Sequence, residues 1–387
     1  MSVLLNFLKV ENNSAVLFRQ LMISAVMLLL CGGLSLVSLF PESNADIGTK
    51  EKAVVLSVDN SRVQELGLIR QGEQFLEIEI KSGIYKGKKF PAVNQIRANL
   101  ELDKVFQKGD TILAAVIDGA VPEETILNAQ DHYRINWTIL LFALFAVLLV
   151  IFAGITGFNA LLSFVFSALF IWKVAVPLLL KGYNALLVCF CAVILLSCVI
   201  ITLVSGVSRK SAAALSGTLL GVLASCLSAY IFTGIFKING AVMPYSQVLL
   251  YSGFSNLSLS DIYTGAIFLS SSGAVMDLAM DVASAIDELS AKNPMLTAKE
   301  LMYSGFRIGR SVVGTMTTTL LLAYSGGYIT LMMAFAAQGV TPADFINNPH
   351  VASEAVKTLV GSFGLVLVAP FTAAAGAFFF GYKKQHH

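Results

Sequence analysis

Asp277 and Asp281 are the residues of this chain best placed to do chemistry. They stand in GAIFLSSSGAVMDLAMDVASAIDEL, residues 265–289, a run otherwise apolar and small enough to be a membrane helix. An aspartate at the centre of a bilayer costs about 2.5–3.5 kcal/mol on insertion scales, so each points to a polar cavity, an ion path or a buried partner. Four residues apart, the two share one helix face about a turn from each other. Ser270, Gly273, Ser284 and Glu288 fall near the same stripe by three- and four-residue spacing, which predicts a wet face on an apolar helix. Two carboxylates this close cannot both ionise cheaply in a low dielectric, and the chemistry they offer is that of a proton relay or a hard-cation site. The structural alternative is an ion pair with Arg307 or Arg310.

The next stretch, SGFRIGRSVVGTMTTTLLLAYSGG, residues 304–327, supplies possible counterparts. Arg307 and Arg310 are three apart and are expected on one face at the cytoplasmic beginning of a helix. Thr315, Thr318 and Thr319 follow one turn deeper, with Thr317 beside them and Tyr324 and Ser325 further in. Arginine suits bidentate recognition of carboxylate or phosphate, and it equally serves as an anchor on the positive side of a membrane helix. Threonine hydroxyls can bond the carbonyl of the preceding turn, so they carry weight only if they stand opposite the aspartates. The expected ion or solute path therefore comprises Asp277, Asp281, Ser270, Ser284, Arg307, Arg310, Thr315, Thr318, Thr319 and Tyr324. Lys173, in FIWKVAVPLLLK, is expected to snorkel outward with help from a kink at Pro177.

Catalytic readings find little support. The chain has no HExxH, GxSxG, P-loop or GxGxxG pattern. Two carboxylates on one helix face do not converge as an aspartyl protease requires. His132 and His350 fall in predicted outer loops, and His386–His387 reads as an expression-tag remnant. The five cysteines (31, 189, 191, 198 and 226) all lie in apolar runs, against a disulfide framework or a Cys/His metal site. In a helix Cys189 and Cys191 point apart, as core packing would have them. No enzyme activity and no cofactor are expected, and the identity of any bound metal is left open.

The elements that would hold these residues are membrane helices. The chain is 56% hydrophobic and 13% charged, against about 25% charged in soluble domains. A net charge of +2 with no basic stripe excludes a nucleic-acid footprint. Runs of spanning length occur at about 21–40, 136–154, 159–179, 184–205, 211–236, 261–284, 311–336 and 355–381, giving eight predicted helices. The first is expected to be retained, with only a weak cleavage candidate at Ala45. Residues 42–134 read as β: KAVVLSV, QFLEIEI and TILAAVI are short strands separated by turns such as SGIYKGKKF and FQKGD, and a small OB-like or SH3-like barrel is expected. The predicted architecture is thus an α-helical polytopic membrane protein of three parts. These are residues 1–41 with the first helix, an all-β extracytoplasmic domain over 42–134, and a seven-helix domain over 135–387.

Loop charge sets the orientation. With the N-terminus inside, Lys9, Arg19, Arg209, Lys210, Lys292, Lys299, Arg307, Arg310, Lys383 and Lys384 are cytoplasmic, while Lys181, Lys237 and Lys357 fall in outer loops. Both termini are then inside. Gly217 and Gly221, like Gly305 and Gly309, form GxxxG, which lets backbones approach closely within or between chains.

GAVMDLAMDVASAIDEL, LTAKELMYSGFRIGR and GTMTTTLLLAYSGG together resemble the bacterial YibE/F-like membrane proteins. The outer segment, with SGIYKGKKFPAVNQI and FQKGDTILAAVI, is also similar, so the resemblance runs from about 50 to 335. Gly273, Asp277, Gly305, Gly309, Arg310, Gly314, Thr315, Met316, Thr319 and Tyr324 fit the family pattern. Ser311, Val312, Thr318 and Asp281 depart from it, which leaves Asp277 the firmer of the two aspartates. The resemblance implies a multi-helix prokaryotic envelope protein with an N-terminal extracytoplasmic domain and implies no reaction. The functional expectation is a secondary transporter or permease of the bacterial cell membrane. Its path would run along the sixth and seventh helices, with the lipid bilayer, a small solute or ion, and a homo-oligomer or related membrane subunit as partners. The alternative is a scaffold or sensor subunit whose outer domain binds an envelope partner or ligand.

Overall fold

The computed structural model describes residues 14–37, 39–40, 49–116 and 125–381. Lys9, Ala45, Lys383, Lys384, His386 and His387 lie outside the described residues. The chain divides into two compact units, Glu42–Leu148 and a second made of Met1–Pro41 with Leu149–His387.

The first unit carries a five-stranded closed barrel of β1 (Thr49–Leu66), β2 (Ile69–Ile80), β3 (Lys89–Arg97), β4 (Thr111–Val116) and β5 (Leu127–His132). Strands follow the order β1-β2-β3-β5-β4, with β1 closing on β4, β3 parallel to β5 and the other pairs antiparallel. That order belongs to the OB-like alternative. Burial alternates along β3 and β4, as the pleat requires when one face turns inward. Ile78, Ile80, Phe90, Phe106 and Ile112 fill the interior. Gln74 is fully buried yet bonded throughout. Its Nε2 donates to Asn60 Oδ1 (2.8 Å) and the Phe106 carbonyl (2.9 Å), and its Oε1 accepts from the Asn94 amide (3.1 Å) and the Phe106 N–H (3.0 Å). The sequence reading singled out β1, β2 and β4 and passed over β3 and β5. Pro91 disguises β3, where β5 pairs only with Ala92 and Val93 and so leaves Pro91 no ladder bond to lose on that side.

The second unit is helical. Its elements are α1 (Ser14–Leu36), α2 (Ile135–Phe170, begun in the first unit) followed by a π turn (Ile171–Ala175), α3 (Val176–Leu180), α4 (Ala185–Ser205), α5 (Arg209–Ile235), α6 (Ser246–Tyr251), α7 (Leu259–Lys292), α8 (Ala298–Gly326), α9 (Ile329–Ala337), α10 (Pro342–Asn347) and α11 (Pro349–Gly381). Among the described residues five helical segments are long and apolar enough to cross a membrane, or six if α8 and α9 form one bent span. These make the chain a membrane protein.

The eight predicted runs map onto these helices with three differences. The first run is helical, but only Gln20–Leu36 of α1 forms its apolar section. The second and third are joined in one 46-residue segment, Ile135–Leu180, broken at Gly154 with φ 57° and ψ −130°. At 1.5 Å per residue such a segment would extend about 69 Å, over twice a hydrocarbon core, and a left-handed φ that glycine tolerates interrupts it where the two runs meet. The seventh begins thirteen residues before its apolar run, because Thr297 and Glu300 form a capping box that starts α8 at Ala298. It then bends by 62° between α8 and α9, after Gly326–Gly327. The π turn precedes Pro177, whose missing N–H cannot bond the preceding turn, and the Val176 N–H reaches back to Ile171.

Close contact between α5, α7, α8 and α11 makes the core of this unit. A Cβ at Gly217 would collide with Thr372, at Gly305 with Ala373 and Ile286, and at Gly309 with Ala369. Both GxxxG pairs are therefore spent within the chain, each against α11. Ser24 Oγ donates to Asn159 Oδ1 (2.6 Å), and the Asn159 amide donates to the Leu203 carbonyl (3.1 Å), tying α1, α2 and α4 together.

Candidate functional site

Helix α7 separates its residues by face. Val275, Leu278, Ala279, Val282 and Ile286 are buried, whereas Ser270, Gly273, Asp277, Asp281 and Glu288 are exposed and Ser284 is half-buried. The predicted polar stripe is thus one continuous face, and it turns away from the core of its own chain. Among the described residues neither Asp277 nor Asp281 forms an ion pair, with Arg307, Arg310 or any other cation. No group of three or more His, Cys, Asp or Glu that could hold a metal occurs among them either. At the end of the stripe Glu288 pairs with Lys292 at 2.6 Å, both exposed.

Arg307 and Arg310 do not sit at the beginning of their helix. The capping box starts α8 early, which carries them nine and twelve residues beyond Ala298, about 14 and 18 Å along the axis. Both are exposed, as are Ser311, Gly314, Thr315, Thr318 and Thr319. The threonine hydroxyls turn back on their own helix: Thr315 donates to Val312 (2.9 Å), Thr317 to Val313 (2.8 Å), Thr318 to Gly314 (3.2 Å) and Thr319 to Thr315 (3.0 Å). Within one chain they do not meet the aspartates. What does join the two helices is Tyr324, whose hydroxyl donates to Ser270 Oγ at 3.2 Å.

Beyond Tyr324 the structure brings in residues the sequence reading missed. Lys357 is no outer-loop residue: α11 begins at Pro349, so Lys357 lies inside the helix and pairs with Glu354 at 3.0 Å. Their side chains are 26% and 12% exposed, so this is a largely buried pair. The Lys357 ammonium stands 5.8 Å from the centre of the Tyr324 ring, close to the C-terminal end of α8, where the helix dipole favours a cation. Tyr263, buried on α7, donates to the carbonyl of Ser353, the residue before Glu354 (2.6 Å). Beside Glu354 an apolar cavity of about 300 Å³ is lined by Leu321, Tyr328, Met332 and Phe345. A glutamate and a lysine three residues apart, in the otherwise apolar SEAVKTLVGSFG, were the legible signal. A hydropathy run begun at residue 355 steps over Glu354. His350 likewise lies in the first turn of α11, and His132 ends β5. Lys173 is half-buried in the π turn.

Ser270, Tyr324, Lys357 and Glu354 are linked in turn across three helices, and Asp277 and Asp281 share the face of Ser270 about two and three turns further along α7. Ionisable side chains at membrane depth commonly mark ion or proton paths.

No curated protein and no solved structure matches the chain. The YibE/F-like protein family matches residues 141–382. The matched region begins after the barrel and runs to the end of α11, whereas the sequence resemblance was placed over 50–335. It contains Asp277, Arg310, Tyr324 and the Glu354–Lys357 pair. This chain belongs to the YibE/F-like protein family.

Proposed function

We propose that the chain is a secondary transporter or permease of the bacterial cell membrane, moving protons or a proton- or cation-linked solute. One observation carries this reading: carboxylates without a cation partner among the described residues stand on an open face of α7, and Ser270–Tyr324 connects that face to the largely buried Glu354–Lys357 pair. Buried or lipid-level charge is costly and is kept where it marks a path. In this reading Asp277 carries the proton or cation, Asp281 modulates it, and Arg310 and the threonines line the approach. The reading takes eight crossings, with α2 counted as two about Gly154 and α8–α9 as one bent span, and the positive-inside rule, through Arg209, Lys210, Lys292 and Lys299, then favours both termini inside and the barrel outside. No chemical reaction is assigned. The test is proton and cation flux in proteoliposomes. Asp277→Asn should abolish flux while leaving the protein folded, and unchanged flux in that variant would sink the reading.

A second reading, a scaffold or sensor subunit, has one observation in its favour. The barrel is a compact unit with its own core and its own buried polar network around Gln74. A chain lacking residues 45–130 that keeps full flux would exclude it.

A further inference from the structure

We propose that the open polar face of α7 and α8 is closed by a second copy of this chain, across a two-fold axis along the membrane normal, with Asp281 of each copy facing Arg310 of the other. The proposal deepens the transport reading and rests on it, because it places the path between two copies.

Depth is the first argument. Helix α7 has 34 residues, about 51 Å, so an apolar core about 30 Å thick and centred on it begins about 10 Å from either end. Asp281 and Asp277 lie eleven and fifteen residues before Lys292, about 17 and 23 Å from that end. Both fall within the hydrocarbon, exposed, where lipid tails cannot solvate them.

Charge complementarity is the second. Arg307 and Arg310 are exposed on the neighbouring helix, and among the described residues they pair with no carboxylate. The turn between Lys292 and Ala298 makes α7 and α8 antiparallel neighbours that share a common level at the turn. Arg310 is about 18 Å from that turn and Asp281 about 17 Å, so the two stand at one depth. A two-fold axis along the membrane normal preserves depth, and a self-complementary patch bearing both signs then pairs twice.

Glycine is the third. A Cβ added at Gly217, Gly221, Gly305, Gly309, Gly364 or Gly376 would strike its own chain, whereas at Gly273 and Gly314 it meets nothing within 4 Å. Both of these lie mid-helix on the open face, where glycine weakens the helix and none of the described residues repays it. A second backbone approaching closely does.

The experiment reads mass and co-capture of differently tagged full-length copies in lipid nanodiscs, with no reference to flux. Wild type should run as a dimer. Asp281→Arg and Arg310→Asp should each dissociate it by tenfold or more, and co-expressing the two single variants should restore a heterodimer, because every cross-copy pair is then opposite in sign. Gly273→Leu has open space in the single chain, so it should stay folded and fail to dimerise. A monomeric wild type would overturn the proposal. So would the absence of rescue in the mixture when both changes on one chain do restore stability, since that places the pair within a copy. A dimer without flux keeps the interface and removes the transport reading, and flux from a monomer does the reverse.

Discussion

Glu354 and Lys357 show what a single pair of residues can decide in this bundle. Each is one turn from the other on α11, at 3.0 Å, and largely withdrawn from solvent. Removing one partner of a buried pair strands the other, typically at about 3–5 kcal/mol. The Lys357 side chain keeps 26% exposure, so Glu354→Ala should cost less, about 1–3 kcal/mol. Glu354→Gln combined with Lys357→Met leaves no unpaired charge and should cost less than the sum of the two singles. Thermal unfolding of the full chain in detergent checks both, and strict additivity would show that the pair contributes nothing as a pair. Asp277 stands in contrast. It is exposed and, among the described residues, without a cation partner, so Asp277→Asn strands none of them and should leave the melting temperature nearly unchanged.

At the scale of elements, small residues determine how near the helices come. Gly305 sits against Ala373 and Ile286, with a hypothetical Cβ 2.8 Å from each, closer than real carbon atoms pack. Gly305→Ala should therefore push α8 from α11 and destabilise the unit by about 1–3 kcal/mol, as overpacking does. Gly314→Ala on the same helix meets open space within its own chain, so in the monomeric Gly273→Leu background it should be neutral, or stabilise by up to about 1 kcal/mol through better helix propensity. The loss of helical circular dichroism on heating separates the two. Equal effects would mean that the α8–α11 seam is not closely packed. Two breaks, at Gly154 and after Gly326, shape the helices, and the second lies two residues beyond Tyr324, whose ring faces the Lys357 ammonium. Interrupted helices that expose backbone groups to charged side chains are a recurrent feature of transporter sites.

Across the whole molecule the two units answer to different forces, and pH should separate them. In the barrel, burial raises the Asp131 carboxyl. The Arg134 guanidinium at 2.7 Å, the His132 N–H and the Lys104 ammonium outweigh that and hold it below the usual carboxylate range. A depressed folded-state value contributes stability above the unfolded value of about 3.9, and that contribution is lost as pH falls through the folded value. The barrel strands of the full chain should therefore lose some stability as pH drops below about 4, and Asp131→Asn should remove part of that sensitivity. Hydrogen exchange over residues 49–132 at pH 3 and pH 6 measures it. Equal protection in wild type and variant at both values would refute the role of Asp131.

Residence in a membrane, the polar stripe of α7 and a small β barrel were legible in the chain itself. All three follow from local pattern: apolar run length, three- and four-residue spacing, and alternation between turn residues. The stripe was readable because side chains on one helix share a face whatever the surroundings. Which residues meet across helices was not. Ser270–Tyr324 joins residues 54 positions apart, and the GxxxG pairs reach α11 across 60 positions or more, distances at which spacing carries no information. The count of loop charges placed Lys357 in an outer loop, and hydropathy, which averages over a window, began α8 too late, because charges near a helix end lower the average although the capped backbone continues. Composition and periodicity determined the elements and one wet face. Only tertiary packing decided that the threonines bond their own helix, that the arginines stay apart from the aspartates of their own chain, and that Glu354 and Lys357 end the polar series, because those outcomes depend on the relative depth and rotation of helices that no local pattern encodes.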